Sequence, residues 1–493
     1  MSRSVAESVE KHIAGNDGSS TGAESEGTVT SSYADEFYSS EVADYREKDA
    51  ALPEQPNVIL IFTEGLSQSV IDDEREIMPN VAAFQEESLN FTGYYNHTFA
   101  TYCGLIGQLY SEYQWNNLDE NNLVSIQSLL SDNGYHTTFI NTEPNNADFT
   151  SYLESMGFDE VLGDASDELL GMTDSYSDKQ AYEYLLDTAE SLSESDEPFF
   201  LSVYTFGTHA SNSSANEVFG DGSDDELNKF YDADAQFGEF LENFKESELA
   251  ENTILVFTSD HATYQDSGFT SAFPDYDRAH ISLDEIPLSI YYVGIEPETI
   301  DVDGRNSLDL APTILDYLDI SGTNYFLGES LFADPSENLS MDMIYYSEAS
   351  PVSTKNGQIS SLSSAEESEF KETVYDYFVA KLSETLDGAS EMTLYAVFKG
   401  LQIDISDDGQ YMEVACSPRE NASYEEYWFA VWSDENGQDD VVWYETKEQK
   451  DGTWSATIPL SAHTLQGGIT IHVYVGNDGV PETLYLAESI IVP

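Results

Sequence analysis

Five strongly apolar runs recur along the first two thirds of the chain, and segments with helical spacing separate them. The runs are PNVILIFTEG (56–65), HTTFINT (136–142), PFFLSVYTFG (198–207), NTILVFTSDH (252–261) and IPLSIYYVG (286–294). Runs that are apolar on both faces of an extended chain are typical of buried parallel strands. The intervening segments, such as 178–192 and 227–247, repeat apolar residues at helical intervals. Strands alternating with helices predict a doubly wound α/β domain with a mostly parallel sheet.

The pattern changes after about residue 391. Short segments there alternate apolar and polar positions and are separated by turn residues, which predicts a small antiparallel β-sandwich. Four of the five tryptophans fall in this part. A cluster of this kind indicates a sandwich core, with a sugar-stacking surface as the alternative.

These patterns divide the chain into four parts. Residues 1–54 are rich in Ser, Glu, Asp, Gly and Ala without a sustained apolar period, which predicts a disordered linker. Residues 55–345 form the predicted α/β domain, and residues 346–390 a Ser/Glu-rich connecting segment with one helix. The sandwich takes up residues 391–493.

The charge balance excludes several classes of partner. The 493 residues include 17 Lys and Arg against 94 Asp and Glu, a formal net charge of −77. Nucleic-acid binding needs a cationic surface, and docking on anionic lipid needs basic patches. A field this negative repels anionic substrates unless cations or salt screen it. We therefore expect metal ions, high salt or both where the protein works.

The chain carries few signals of compartment. Its two cysteines, Cys103 and Cys416, imply no disulfide framework. The sequence contains no apolar run of about 18 residues, the length a transmembrane helix needs. The first twenty residues also lack the apolar core of a secretory signal. Taken alone, these features predict a cytosolic protein.

Polar residues stand where the predicted strands end. Glu64 follows the first strand, His209 lies just beyond the strand at 198–207, and Asp260 and His261 end the strand at 252–261. In an open α/β sheet, ligands bind at the carboxyl ends of the strands. Carboxylate and imidazole groups from separate strands can meet there on one divalent metal, and mixed oxygen and nitrogen ligands suit Mn²⁺ or Zn²⁺.

Thr101 has two interpretations. It stands at the start of an apolar, glycine-containing helix, where threonine commonly serves as an N-cap. A metal beside it would lower the pKa of its hydroxyl and make it a nucleophile. The helix start would then offer N–H groups to an anion. Thr98 is the rival nucleophile, with a local hydrogen-bonding role as its alternative.

A family resemblance favours the nucleophile. NVILIFTEG, HTFATYCGLIGQLYS, TFGTHA and NTILVFTSDHATY resemble, in order and spacing over about residues 56–345, the motifs of the alkaline phosphatase superfamily. Within it they are most similar to the sulfatase-like proteins of the lipoteichoic acid synthase group. The resemblance implies an alkaline phosphatase-like fold and a metal, Mn²⁺ in preference to Zn²⁺ or Mg²⁺. It implies that the ligands are Glu64, Thr101, Asp260 and His261.

The same resemblance implies roles for three residues. Thr101 is the implied nucleophile, His209 is a catalytic residue close to the phosphate, and His280 is a further substrate-binding histidine. Two departures bear on the substrate. Cys103 lacks the C/S-x-P-x-R setting of true sulfatases. Residues 140–161 also lack the His, Trp and Arg with which lipoteichoic acid synthases grip glycerol phosphate.

The tail carries a second resemblance. Residues 402–485, and WSDENGQDDVVWY above all, resemble the Bsp-like repeat of Gram-positive surface proteins. This implies contact with the cell wall and an extracytoplasmic location, either at the membrane through a segment missing from this chain or by secretion.

Together these features predict an extracytoplasmic, metal-dependent phosphotransferase or phosphodiesterase. Its expected substrates are phosphodiesters of lipids or cell-envelope glycopolymers, and a phospho-threonine forms as an intermediate. The alternatives are a sulfatase-like hydrolase, acting as a phosphatase or sulfatase, and a non-catalytic wall-binding protein.

Overall fold

A computed structural model describes most of the chain beyond residue 38. The described residues are 39–50, 52–113, 124–163, 175–195, 197–210, 212–276, 278, 280, 283–334, 339–344, 348–367, 369–370, 373–374, 398–406, 409–418, 426–433, 441–450, 452–463, 469–477 and 480–490.

An eight-stranded mixed sheet organises the first domain. Its strands are β1 (Asn57–Thr63), β2 (Leu89–Thr92), β3 (His136–Ile140), β4 (Glu160–Leu162), β5 (Phe199–Thr205), β6 (Thr253–Ser259), β7 (Leu288–Tyr291) and β8 (Glu298–Asp301). They lie in the order β4-β3-β5-β1-β6-β7-β2-β8. All neighbouring pairs are parallel except those that β7 makes with β6 and β2. The predicted doubly wound, mostly parallel α/β fold is confirmed, and β7 is the antiparallel exception.

Helices connect the strands. They are α1 (Gln68–Ile71), α2 (Pro79–Glu86), α3 (Thr101–Tyr110), α4 (Ile126–Asp132), α5 (Ala147–Glu154), α6 (Asp178–Leu192), α7 (Asp225–Glu246), α8 (Ser267–Ala272) and α9 (Leu310–Tyr317). Two of them begin with capping boxes, in which the side chains of Ser125 and Ser177 accept from backbone N–H groups of α4 and α6.

Both faces of the central strand are buried, as its sequence predicts. Val58, Leu60 and Phe62 of β1 belong to one hydrophobic cluster, and Ile59 and Ile61 belong to another on the opposite face. Successive side chains of a strand point to opposite faces, so a strand between two helical layers must be apolar throughout.

Segments outside the predicted domain limits also contact this domain. Ser39 forms an isolated bridge with Asn324, and the Asp49 carboxylate accepts a hydrogen bond from the Tyr292 hydroxyl at 2.5 Å. Both Ser39 and Asp49 fall within the linker predicted at 1–54. Residues 1–38 lie outside the described residues, so the linker prediction is untested there.

A second, three-stranded antiparallel sheet spans the limit predicted at residue 345. It consists of β9 (Leu339–Ile344), β10 (Glu348–Ser353) and β11 (Ser360–Ser361). The helix predicted over 368–386 lies mostly outside the described residues. The four domain limits stay predictions.

The C-terminal part contains two four-stranded antiparallel sheets. One has the order β12-β13-β17-β16 and the other β15-β14-β18-β19. The strands are β12 (Phe398–Ile405), β13 (Tyr411–Pro418), β14 (Glu426–Ser433), β15 (Val442–Glu445), β16 (Lys447–Glu448), β17 (Trp454–Pro459), β18 (Ile469–Asn477) and β19 (Val480–Ile490). Alternate residues of both sheets, such as Val414 and Phe429, share one buried cluster. The predicted antiparallel architecture is confirmed.

Among the described helices, none combines the length and the apolar character that crossing a lipid bilayer requires.

Candidate active site

Three neighbouring parallel strands end level with one another at one edge of the large sheet. Thr63, the last residue of β1, pairs with Thr205 of β5 on one side and with Ser259 of β6 on the other. The residues that follow these strands therefore emerge side by side, and they include Glu64 and Asp260. This is the edge at which open α/β sheets bind ligands.

A buried cluster of two carboxylates and one imidazole forms at this edge. Glu64, Asp260 and His261 each offer a ligand atom, and these atoms lie within 4.8 Å of one another. His261 Nε2 is 3.5 Å from Glu64 Oε1 and 3.5 Å from Asp260 Oδ2. At most 5% of each residue is exposed. In the described part of the chain, no second group of three such side chains comes together in this way.

Asp260 connects the segments that follow β1 and β6 through one of its two carboxylate oxygens. Its Oδ1 accepts hydrogen bonds from the backbone N–H groups of Gly65 at 2.9 Å and His261 at 2.8 Å. Its Oδ2 is fully buried and has no hydrogen-bond partner among the described residues. A buried carboxylate oxygen without a donor is costly, so this atom is suited to a cation.

His261 is oriented by its backbone. Its Nδ1 lies 2.7 Å from the carbonyl oxygen of Ala262, so Nδ1 carries the proton and Nε2 presents its lone pair to the cluster. Metal-binding histidines are commonly held in this way.

The electrostatics of the cluster reflect crowded negative charge. Burial raises the pKa of Asp260, an effect that the nearby His261 opposes and Glu64 reinforces. Burial lowers the pKa of His261, but the carboxylates of Asp260 and Glu64 outweigh this and raise it overall. The carboxylates therefore need a positive partner, either a proton or a metal ion.

Thr101 reaches the cluster from the start of α3. Its Oγ1 donates a hydrogen bond to Glu64 Oε2 at 3.1 Å. Ala100, not Thr101, occupies the N-cap position, and it makes no side-chain cap. The Thr101 hydroxyl is thus free of a capping role and faces a candidate metal ligand.

The backbone before Thr101 is strained. Ala100 has φ 77° and ψ 147°, a conformation that residues other than glycine rarely adopt. Strain of this kind is held in place by the surrounding structure and is concentrated at functional sites. The sequence gives no sign of it, because alanine has no preference for this region.

The rival threonine lies in a different environment. Thr98 is only 1% exposed, and its hydroxyl has no hydrogen-bond partner among the described residues. Its predicted local hydrogen bond is therefore not found there.

Close backbone packing sets the distance between α3 and β6. A Cβ atom at Gly104 would lie 2.2 Å from the carbonyl oxygen of Asp260, so only glycine fits at this position. Gln108 of the same helix donates from Nε2 to the carbonyl oxygens of Ser259 and Asp260, at 3.0 and 3.1 Å. These contacts fix Thr101 relative to Asp260.

Two residues that the sequence did not single out hold Glu64. The Tyr204 hydroxyl of β5 donates to Glu64 Oε2, and the Thr208 hydroxyl donates to the Glu64 carbonyl oxygen. Burial, followed by the negative charge of Glu64, raises the pKa of Tyr204 well above its usual value, so the phenol stays a donor. Tyr204 was indistinguishable in the sequence from the core residues around it.

The two predicted histidines lie outside the described helices and strands. His209 follows Thr208, is half-buried and stacks on the ring of Phe206 at a centroid distance of 4.6 Å. His280 is also half-buried. The roles of both stay predictions.

Arg278 is a further residue that sequence reasoning missed. Its side chain is 1% exposed, lies 3.4 Å from Asp284 and donates to the Thr263 carbonyl oxygen at 2.6 Å. Thr263 follows His261 by two residues, so this hydrogen bond holds the segment that carries the candidate metal ligand. A buried arginine is conspicuous in a chain with 17 cationic residues.

The donor set fits a divalent cation. The set consists of one imidazole with its lone pair directed inward and two carboxylates, one of which has an unpartnered buried oxygen, and divalent cations bind such groups. Glu64, Asp260 and His261 would hold it, with the Thr101 hydroxyl adjacent.

Comparison with known proteins identifies two families. The Sulfatase family model matches residues 56–320, more than half of the chain, and the GBS Bsp-like repeat model matches residues 406–487. Both predicted resemblances are confirmed.

Curated relatives are more distant. Phosphoglycerol transferase I of Citrobacter koseri is 24% identical over 343 residues, which cover 59% of this chain and 41% of that protein. Inner membrane protein YejM of Salmonella typhi is 22% identical over 293 residues, covering 57% of this chain and 45% of that protein. The chain thus spans less than half the length of these relatives.

Solved structures support the fold. A protein in the alkaline phosphatase superfamily from Vibrio parahaemolyticus aligns with a TM-score of 0.57 at 18% identity, over 70% of this chain and 90% of that one. The lipoteichoic acid synthase LtaP from Listeria monocytogenes aligns with a TM-score of 0.55 at 16% identity, over 70% and 96%. The chain belongs to the Sulfatase family, whose related proteins include enzymes of the alkaline phosphatase superfamily.

Proposed function

We propose that this member of the Sulfatase family is an extracytoplasmic phosphotransferase or phosphodiesterase that depends on a divalent metal. It acts on phosphodiesters of lipids or cell-envelope glycopolymers, and Thr101 is its nucleophile. The observation that carries the proposal is the hydrogen bond of 3.1 Å between the Thr101 hydroxyl and Glu64, inside a buried cluster with Asp260 and His261.

Glu64, Asp260 and His261 would hold the metal. Mixed carboxylate and imidazole ligands suit Mn²⁺ or Zn²⁺, and Mn²⁺ is the ion that we propose. When bound, such an ion lowers the pKa of an adjacent hydroxyl and neutralises charge that develops on phosphoryl oxygens.

The residues of the chain account for the covalent step. Thr101 Oγ1 attacks phosphorus, a new O–P bond forms, and the ester bond to the leaving alcohol breaks. Glu64 Oε2 accepts the hydrogen bond from Thr101 and therefore lies where the hydroxyl proton departs. The products are a phosphodiester that joins Thr101 to the retained group and the free leaving alcohol, which takes up a proton. The bond between Thr101 Oγ1 and phosphorus breaks only in the second step, when an acceptor attacks phosphorus.

Other groups assist this step. The N–H groups at the start of α3 face phosphoryl oxygens bound at Thr101. We assign to His209, which is half-buried and follows Thr208, the protonation of the leaving alcohol or the binding of a phosphoryl oxygen. An acceptor alcohol or water then resolves the intermediate, which distinguishes a transferase from a hydrolase.

The location and the partner follow from the tail. Its match to the Bsp-like repeat favours contact with the cell wall, which would bring the α/β domain close to envelope polymers. The names of the relatives, phosphoglycerol transferase and lipoteichoic acid synthase, support phosphodiester chemistry of envelope components.

Substitution of the nucleophile tests the proposal. Thr101→Ala should lower the turnover of bis(nitrophenyl) phosphate by the manganese-loaded protein more than about a thousandfold, because the covalent route is lost. Thr98→Ala is the matched control and should retain turnover. Mass spectrometry of quenched wild-type protein should find a phosphoryl adduct on Thr101. Undiminished turnover by the Thr101→Ala variant would exclude the proposed role.

Parallel assays separate the reaction classes. Aryl phosphodiester, aryl phosphate and aryl sulfate are supplied at equal concentration to the same protein. The proposal expects the diester to react fastest. A preference for the sulfate would instead identify a sulfatase-like hydrolase, despite the setting of Cys103.

A further inference from the structure

Three aromatic rings run from the candidate metal cluster to the surface. The Phe99 ring lies 4.6 Å from the His261 ring, centroid to centroid, and the Tyr264 ring lies 5.5 Å from the Phe99 ring. His261 is buried, Phe99 is half-buried and Tyr264 is 47% exposed. The rings thus form a continuous path from a candidate metal ligand to solvent.

The connection to the reacting groups is short along the chain. Phe99 precedes the candidate nucleophile Thr101 by two residues, and Tyr264 follows His261 by three. The Phe99 and Tyr264 planes are inclined by 37°, so together they form a shallow, tilted apolar surface. Because Phe99 contacts His261 and is two residues from Thr101, a group esterified to phosphorus at Thr101 would be within reach of this surface.

Burial in the core does not account for Tyr264. Nearly half of it is exposed, and the ring that it contacts, Phe99, is itself only partly buried. An amphipathic ring at the edge of a catalytic cluster is suited to contact a ligand that has an apolar face and polar edges.

The charge of the chain narrows the choice of ligand. With a net charge of −77, the surface repels anionic lipid and a second anionic group of a substrate. An acyl chain would need a longer apolar surface than two tilted rings supply. The ligand should therefore be uncharged and small enough for two rings. A neutral sugar ring meets both conditions, since its C–H face stacks on an aromatic ring and its hydroxyls stay in water.

We propose that Phe99 and Tyr264 form a stacking subsite for a neutral sugar ring attached to the phosphodiester that reacts at Thr101. This inference rests on the proposed function and specifies its substrate class as phosphodiesters in which one ester group is a sugar. Tyr264 supplies the exposed ring, and Phe99 supports that ring and continues the surface toward His261.

Kinetics on matched substrates test the subsite. Three phosphodiesters share a nitrophenyl leaving group and differ in the second ester, which is methyl, dodecyl or the 6-position of methyl glucoside. Wild-type protein should react with the glucoside diester at about tenfold higher kcat/KM than with the methyl diester. Tyr264→Ala should lower the ratio of the two kcat/KM values to about one, and Tyr264→Phe should keep the preference.

A control variant guards against general effects of removing a surface tyrosine. Tyr411 is 46% exposed and lies on β13 of the C-terminal part, so Tyr411→Ala should leave the preference intact. Equal kcat/KM for the glucoside and methyl diesters in wild-type protein would overturn the proposal. So would a Tyr264→Ala effect confined to the dodecyl diester, which would identify an acyl-chain site.

A binding measurement separates this inference from the proposed function. Saturation-transfer NMR with methyl glucoside alone should show contact in the wild type and in Thr101→Ala, and a weaker signal in Tyr264→Ala. If no diester reacts but this Tyr264-dependent signal is present, the proposed function fails and the subsite stands. If neither a reaction nor the signal is found, the subsite is overturned as well.

Discussion

Two buried histidines in different parts of the molecule show how environment decides what an imidazole does. The His261 side chain lies beside two carboxylates at the edge of the parallel sheet, and those carboxylates raise its pKa. His472, on β18 of the C-terminal part, lies 4.4 Å from the Trp432 ring, and burial lowers its pKa to about 4. His261 thus lies among carboxylates whose charge a cation would neutralise, whereas His472 is kept neutral as a packing residue.

The same contrast extends to the aromatic residues of the two regions. Tyr204 uses its hydroxyl to hold Glu64, and Phe99 leads from His261 to the surface. In the sandwich, Trp432 and Tyr474 surround His472 and complete its packing. Aromatic content alone therefore does not distinguish a site from a core. The candidate site is instead distinguished by a buried carboxylate, that of Asp260, with an oxygen that accepts no hydrogen bond among the described residues.

The largest expected effect is on metal binding. His261→Ala should weaken Mn²⁺ binding by more than about a thousandfold, because loss of a ligand exceeds the 10–100-fold cost typical of losing an outer partner. Calorimetric titration of metal-free protein measures this directly. His472→Ala, the matched control, should leave the affinity unchanged. Equal Mn²⁺ affinity in the two variants would show that His261 is not a metal ligand.

Part of the fold and part of the candidate site were predictable from the sequence. Apolar runs located β1, β3, β5 and β6, and polar residues at their ends pointed to Glu64, Asp260 and His261. The strand prediction succeeds because burial on two faces leaves a local pattern, and the geometry of parallel strands explains why these three residues lie together.

The missed features depend on contacts between distant segments. Tyr204 sits in an uninterrupted apolar run, so its bond to Glu64, 140 residues away, has no local signature. The antiparallel direction of β7 is likewise set by its partner β6, which lies earlier in the chain. Arg278 becomes informative only once its hydrogen bond to Thr263, two residues beyond His261, is known.

Asp178 gives the second prediction, which concerns pH. It is 5% exposed and accepts a hydrogen bond from Gly207 at 2.8 Å, and burial raises its pKa to about 7. Between its unfolded value near 4 and this folded value, the native state binds more protons, so stability falls as pH rises. Asp178→Asn should remove a decline on the order of 4 kcal/mol between about pH 4 and pH 7.

Denaturant unfolding followed by circular dichroism measures this slope in the helix-containing domain. Asp187, an exposed carboxyl on the same helix, offers the matched control, and Asp187→Asn should leave the slope in place. An unchanged slope in Asp178→Asn would show that Asp178 does not hold its proton in the folded state.

His472 gives the opposite slope in the sandwich. Its folded pKa of about 4 lies below the unfolded value, so the unfolded state binds more protons between about pH 4 and pH 6.5. Stability should therefore fall as pH decreases through this window, by about 3 kcal/mol, and His472→Phe should abolish that loss. Tryptophan emission reports on this region, which holds four of the five tryptophans. A slope of the same sign as that of Asp178 would contradict the assignment.

The smallest effect, and the sharpest test of how the cluster is held, concerns Tyr204. Tyr204→Phe removes the hydroxyl that donates to Glu64 and keeps the ring, which packs 5.6 Å from Phe149. Mn²⁺ affinity should fall 10–100-fold, about 1.4–2.7 kcal/mol, because Glu64 loses the donor that orients it. Tyr94→Phe is the control, since that buried hydroxyl has no hydrogen-bond partner among the described residues. If both variants bind Mn²⁺ as wild type does, the Tyr204 hydroxyl does not orient Glu64 for the metal. Tyr204 would then be a packing residue, as Trp432 and Tyr474 are in the sandwich.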